Sequence, residues 1–136
     1  MTLDMTSIDL RGSEIDSIEC REGVLRVHFS RAYLIKTMTG SKERTRWWQA
    51  GDLILEEASL SSGIPAAPLI GRGGDIEENI YTYRDMIPVP LTSRGHARVL
   101  LHFEGSNTSL DAIGTAVRLE MTDTPKYIEH LRDEHA

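Results

Sequence analysis

Apolar and polar residues alternate along much of this chain, and the period is two. In residues 24–29, Leu25, Val27 and Phe29 fall on one face of an extended strand, and Arg26, His28 and the following Ser30 fall on the other. Residues 15–20 repeat the pattern, and Glu22 and Gly23 between the two runs supply a tight turn, because glycine adopts positive φ without steric cost. Pairing Arg21 with Val24 sets Cys20 opposite Leu25, Ile18 opposite Val27 and Glu19 opposite Arg26. One register thus satisfies two apolar matches and an opposite-charge pair, whereas a slip of one residue would set Ile18 against Arg26. A bulged loop over Arg21, Glu22 and Gly23 is the alternative. Cys20 lies on the apolar side of this hairpin and reads as a buried structural thiol.

The alternation returns downstream. Residues 7–10 read as a short first strand, and the second hairpin strand runs on or bends into residues 32–35. Residues 53–58, 79–84 and 97–104 are further strands, with Val99, Leu101 and Phe103 sharing a face. In residues 113–121, Ile113, Val117, Leu119 and Met121 point one way and Arg118 and Glu120 the other. Between the runs, residues 37–46 are polar and contain Gly40, which predicts an exposed loop, and Ala50, Gly51 and Asp52 read as a turn. Residues 59–75 carry Gly63, Pro65, Pro68, Gly71, Gly73 and Gly74 and read as a long loop. Pro88 and Pro90 confine residues 87–91 to a sheet edge or an extended crossover, since proline donates no ladder hydrogen bond. Residues 127–131 are a short terminal strand or a single helical turn. No window of eleven or more residues carries a helical stripe. The pattern predicts one all-β domain over residues 1–136, an antiparallel β-sandwich or flattened barrel of about eight short strands.

Composition sets bounds on this picture. With 136 residues, 40% hydrophobic and 26% charged, the chain resembles an ordinary folded domain that needs neither disulfide nor metal to hold its core. Cys20 is its one cysteine, which excludes an intrachain disulfide. The first residues show no basic region followed by an apolar run, and no stretch approaches the ~20 apolar residues of a membrane helix. The expectation is a cytoplasmic protein without membrane contact.

Charge changes the picture more. The net value is −6, which argues against general nucleic-acid affinity. From Arg21 to Arg46, however, seven basic residues face two acidic ones, a local +5; the remainder holds eight basic and nineteen acidic residues, −11. Either those cations share one face, or they alternate around a sheet against acidic partners, as Glu19 and Arg26 suggest; the second reading is preferred.

Candidate chemistry is sparse. His28 and His102 each precede a core phenylalanine and could approach one another if their strands were neighbours, but no metal-ligand spacing occurs, and both read as solvent-face histidines. Gly71-Arg72-Gly73-Gly74-Asp75 superficially resembles a phosphate loop, yet no helix follows to hold the phosphate, so a flexible turn is the better reading. The acid pairs Glu56 with Glu57, Asp75 with Glu77 and Glu78, and Glu104 with Glu120 suit acid–base work only in a buried cleft and read as solvated faces. No nucleophile elbow is present. The aromatics say more. Trp47 and Trp48 are adjacent on a strand, so one should be buried and the other exposed. Tyr81 and Tyr83 share a face beside Arg84. Trp47, Trp48, Tyr81, Tyr83 and Arg84 are therefore the candidate binding residues, as a stacking platform for a sugar or a partner surface; the competing reading places them at the rim of the core.

The segment Tyr83-Arg84-Asp85-Met86-Ile87-Pro88-Val89-Pro90-Leu91, followed by Gly95, Leu101-His102-Phe103 and Pro125-Lys126-Tyr127-Ile128-Glu129, resembles a group of small all-β bacterial proteins of unknown function over the C-terminal third of the chain. The opening hairpin more faintly resembles some bacterial toxin-immunity proteins. Neither resemblance brings an active site. The expected function is a non-catalytic binding or protein-interaction module with no cofactor or metal, engaging a protein partner or self-associating as a homo-oligomer. The alternatives are a toxin-immunity protein, whose acidic surface would capture a basic toxin, and a small enzyme or ligand binder using residues 59–75 as a lid.

Overall fold

The structure, a computed structural model, describes residues 5–37 and 43–131. It consists of ten strands, and none of the described residues is helical. These are β1 (Met5–Arg21), β2 (Val24–Thr37), β3 (Arg44–Glu56), β4 (Ser59–Leu60), β5 (Leu69–Glu78), β6 (Tyr81–Arg84), β7 (Met86–Val89), β8 (Thr92–Phe103), β9 (Leu110–Met121) and β10 (Lys126–Leu131). Every pairing is antiparallel. The two-residue period is thus borne out as the organising pattern.

The first hairpin has the predicted register, with Arg21 opposite Val24, Cys20 opposite Leu25, Glu19 opposite Arg26 and Ile18 opposite Val27. Glu22 (φ 53°) and Gly23 (φ 77°) both take positive φ, as a two-residue turn matched to strand twist requires.

Six strands close a barrel in the order β1, β2, β3, β9, β8, β5, with β5 returning to β1. Of the two expected architectures, sandwich or flattened barrel of about eight short strands, the sandwich is corrected: six strands close a barrel and four more are added to it. Alternation reports which face of a strand is buried and is silent on whether the last strand meets the first. Here β3 decides: it pairs with β2 along nearly its whole length and with β9 along its C-terminal half. Phe29, Phe103, Leu25, Val27, Leu53, Leu55, Val99 and Leu101 fill the interior and are buried, each contributing roughly 1.5–3 kcal/mol of apolar burial.

Strands β1, β2 and β3 are long (17, 14 and 13 residues) and overrun the barrel. Their overrunning ends form an open sheet in the order β7, β1, β2, β3, β10. Irregularities mark the junction. The β1–β2 register shifts between Asp9 and Glu14, where Gly12 has φ 90°, and the β2–β3 register shifts between Phe29 and Ala32. Fully buried Ser13 ties the bend: its Oγ donates to the Asp9 carbonyl (2.6 Å) and accepts the Tyr33 N–H (3.1 Å).

Several local expectations change. Gly51 is mid-strand rather than in a turn; a Cβ there would sit 2.7 Å from Met121 Sδ, so glycine is needed for close strand approach. The glycine run 71–74 belongs to β5, not to a loop or a flexible turn, and a Cβ on Gly74 would meet the Leu100 carbonyl at 2.2 Å. Cys20 is exposed although its cross-strand partner Leu25 is buried, because past Ile15 β1 pairs with β2 alone and has no strand on its other side. Ile113 is also exposed (51%). Leu110 and Ala112 point inward, and the phase of β9 changes before Val117, near the register shift of β8 between Arg94 and Ala97. Residues 127–131 are strand, and the predicted loop 37–46 shrinks, since β2 ends at Thr37 and β3 starts at Arg44; Gly40 lies outside the described residues. The proline segment lies on an edge as expected, with β7 pairing to β1.

Candidate functional site

The open sheet carries two sets of side chains on opposite faces, and registers alone place them. On the inner face, one row crosses all five strands as Ile87, Ile8, Leu34, Trp47 and Tyr127. Ile87, Ile8 and Leu34 are fully buried, and Trp47 packs on the core with Tyr127 edge-on at 5.3 Å. Lys36 Nζ lies 4.2 Å from the Trp47 ring centre. Trp47 Nε1–H donates to Thr45 Oγ1 at 2.8 Å, which satisfies the indole without loss of packing.

On the outer face, Tyr33, Trp48 and Lys126 stand in one row and Ile35, Arg46 and Glu129 in the next. Direct and diagonal neighbours interact across such rows. The Arg31 guanidinium lies 4.5 Å and Lys126 Nζ 4.4 Å from the Trp48 ring centre, and the Arg46 guanidinium 4.5 Å from that of Tyr33. These are cation–π distances, worth ~0.5–1 kcal/mol each at exposed sites. Tyr33 donates its hydroxyl hydrogen to Glu14 Oε2 at 3.1 Å, which fixes the ring under Arg46. Exposed Arg44 continues the face toward the sheet end.

Among the described residues, Arg31, Lys36, Arg44, Arg46 and Lys126 are in no ion pair with a carboxylate. Glu129 faces Arg46 across the strand pair, but that guanidinium leans the other way, onto Tyr33. Of the basic run from Arg21 to Arg46, Arg31, Arg44 and Arg46 therefore share a face, joined by Lys126 from far along the chain. Arg26 does not join them. It meets Asp52 and approaches Glu120 (3.9 Å), and Asp52 also holds His28 Nδ1. Each of the two sequence readings of the basic run describes a part of it.

Trp47 and Trp48 thus lie on opposite faces of one strand, both half-buried, rather than one buried and one exposed. Tyr81 and Tyr83 lie on β6, which pairs only with β5 and is not a neighbour of β3. Their rings are near-parallel with centres 6.5 Å apart. Tyr83 donates to Glu78 at 3.1 Å; burial first, and then this bond, raise its ionisation above the ordinary tyrosine value. Arg84 pairs with Asp75 at 3.1 Å, and this hydrogen bond raises its pKa. The five candidate binding residues are accordingly divided among the two faces of β3, which hold Trp47 and Trp48, and β6, which holds Tyr81, Tyr83 and Arg84.

Around β8 and β9 several arginines meet carboxylates of the same chain. In a groove of about 490 Å³ beside β8, Arg98 donates twice to Asp111 (3.0 Å) and once to Glu77 (3.3 Å), while His96 meets Glu77 at 3.2 Å. The Arg98 hydrogen bonds hold the Asp111 carboxyl below its ordinary range. Ser61 Oγ donates to the Asp111 carbonyl. Arg118 bridges Glu56 (3.1 Å) and Glu120 (2.9 Å). A crevice of about 640 Å³ between β1 and β5 is lined by Ile15, Leu69 and Ile70 together with Glu14, Glu104 and Ser30, whose Oγ donates to the Glu14 carbonyl at 3.3 Å. His28 and His102 stand on strands that do not pair, His102 being bonded to Ser109 at 2.7 Å. Among the described residues no group of His, Cys, Asp and Glu side chains is arranged to hold a metal, and no helix is long and apolar enough to cross a membrane.

Sequence reasoning missed Arg31, Tyr33, Arg46 and Lys126 as members of the face. Their faint signal was parity: Arg31, Tyr33 and Ile35 share one face, as do Arg44, Arg46 and Trp48. Comparison with family models, with curated proteins and with solved structures finds no match to this chain.

Proposed function

We propose that this protein is a non-catalytic binding module that docks an acidic protein partner on the outer face of β2, β3 and β10. One observation carries the reading: Arg31, Arg46 and Lys126 are braced against Trp48 and Tyr33 and, with Arg44, are in no ion pair with a carboxylate among the described residues. Cations held on rings lose less rotamer freedom on meeting an anion than flexible ones do. The rings also argue against single-stranded nucleic acid. A base needs an open aromatic face, and here Arg31 and Lys126 lie over Trp48 while Arg46 lies over Tyr33.

Capture of a basic toxin by an immunity protein has less support, since the carboxylates around β5, β8 and β9 are engaged by Arg84, Arg98 and Arg118. An enzyme lid over residues 59–75 has less support again, because Leu69 onward is β5.

Titration with poly-L-glutamate, read by tryptophan fluorescence, tests the proposal. Binding that weakens with salt and falls at least tenfold in the Arg46→Glu/Lys126→Glu variant is expected. Absence of binding, an unaffected double variant, or tighter binding of oligothymidylate than of polyglutamate would overturn it.

A further inference from the structure

The open sheet has two edges, and they differ. The β7 edge carries Pro88 and Pro90, which remove donors from any added ladder. The β10 edge, Lys126–Leu131, holds no proline, and its far side pairs with nothing among the described residues. It therefore presents a row of backbone donors and acceptors. It also exposes two large apolar side chains, Tyr127 (54%) and Ile128 (38%). Free backbone and exposed apolar surface make an edge a template for another strand; the short length of β10, Lys126 and the irregularity between Tyr127 and Glu129 blunt it against any strand that does not match them.

The sequence of this edge complements itself. Lys126 and Glu129 are three residues apart, so a regular strand would put them on opposite faces. The irregularity between Tyr127 and Glu129 absorbs one residue, and both side chains stand on the outer face, opposite Trp48 and Arg46 respectively. An antiparallel meeting of two such strands that sets Tyr127 against Ile128 also sets Lys126 against Glu129. Two-fold symmetry makes each match occur twice. We infer that β10 is where two copies of this chain pair, edge to edge and antiparallel. The sheet would then run unbroken from β7 of one copy to β7 of the other, with two Lys126–Glu129 pairs flanking a Tyr127–Ile128 centre.

This inference does not depend on the acidic-partner reading, although it would join two cationic faces into one surface. A six-residue edge falls well short of the about 1,600 Å² of a standard interface, so the dimer forms at micromolar or higher concentration.

Sedimentation equilibrium over about 1–500 μM, without added ligand, tests it. The unaltered protein self-associates. Lys126→Glu leaves Glu against Glu, and Glu129→Lys leaves Lys against Lys, so each variant alone associates at least tenfold more weakly. An equimolar mixture of the two recovers dimer, because each contact again joins Glu to Lys. Thermal melts confirm that both variants are folded. A protein monomeric across the range, variants that associate as the unaltered chain does, or a mixture that stays monomeric would overturn the inference. Polyglutamate binding by a monomeric protein would sink it while leaving the proposed function standing.

Discussion

The face of β2, β3 and β10 and the flank of β5, β8 and β9 use the same residue types to opposite ends. On the flank, Arg84, Arg98 and Arg118 each reach a carboxylate of the same chain at 2.9–3.1 Å, so these three charges are matched within the molecule. On the face, Arg31, Arg46 and Lys126 rest on aromatic rings instead. A ring positions a cation without neutralising it, so the charge stays available to a partner. Arg72 on β5 and Arg94 on β8 are in no ion pair among the described residues either, but they stand singly, whereas the sheet end gathers several cations around shared rings. The lesson is that the cation's immediate neighbour, more than local charge density, separates a finished surface from a binding one.

Four measurements break or sharpen this contrast. The largest effect comes from the core that both regions share. Phe29→Ala beneath the face and Phe103→Ala beneath the flank should each lose about 3–5 kcal/mol in urea unfolding, with tryptophan fluorescence and far-UV circular dichroism changing together. Separate transitions would mean that the regions are independent and that the comparison spans two units. Next, Arg98→Gln leaves Asp111 and Glu77 facing one another and should cost about 1 kcal/mol, while polyglutamate binding persists. Arg46→Gln gives up one cation–π contact, about 0.5 kcal/mol, and should weaken that binding several-fold. The reverse pattern would erase the distinction.

Acid should act on the flank. Asp111 titrates below its unfolded value because Arg98 donates to its charged form. Its contribution is therefore complete above pH ~3.9 and disappears as pH falls through the lower folded value. Asp111→Asn should remove that part of the acid-induced loss in stability profiles between about pH 5 and 2, and an unchanged profile would remove Arg98 as its source. The smallest effect is at Lys126→Gln, within about 0.5 kcal/mol of the parent, because the Trp48 face retains Arg31.

How much of this was legible in the sequence follows from range. The hairpin between Ile18 and Val27 was readable because its two strands are joined by Glu22 and Gly23, and charge and hydrophobic matching select one register. The inward triplet Val99, Leu101 and Phe103 was readable from parity alone. What failed involves partners remote in sequence. Gly51 reads as a turn in sequence because nothing local shows Met121 packed across it, and the glycines of β5 hide a strand for the same reason. Cys20 has the right parity for burial, but parity cannot say where the core ends. The cationic face needs Lys126 beside Trp48 and Tyr33, a coincidence of three strands that no single run of residues encodes.

The most direct test of the central claim follows individual cations by NMR, using the arginine Nε–Hε and tryptophan indole N–H resonances during titration with poly-L-glutamate. The account predicts that Arg31, Arg46 and Trp48 shift progressively while Arg98 and Arg118 stay in place. Equal shifts in both groups, or shifts confined to Arg98 and Arg118, would contradict it.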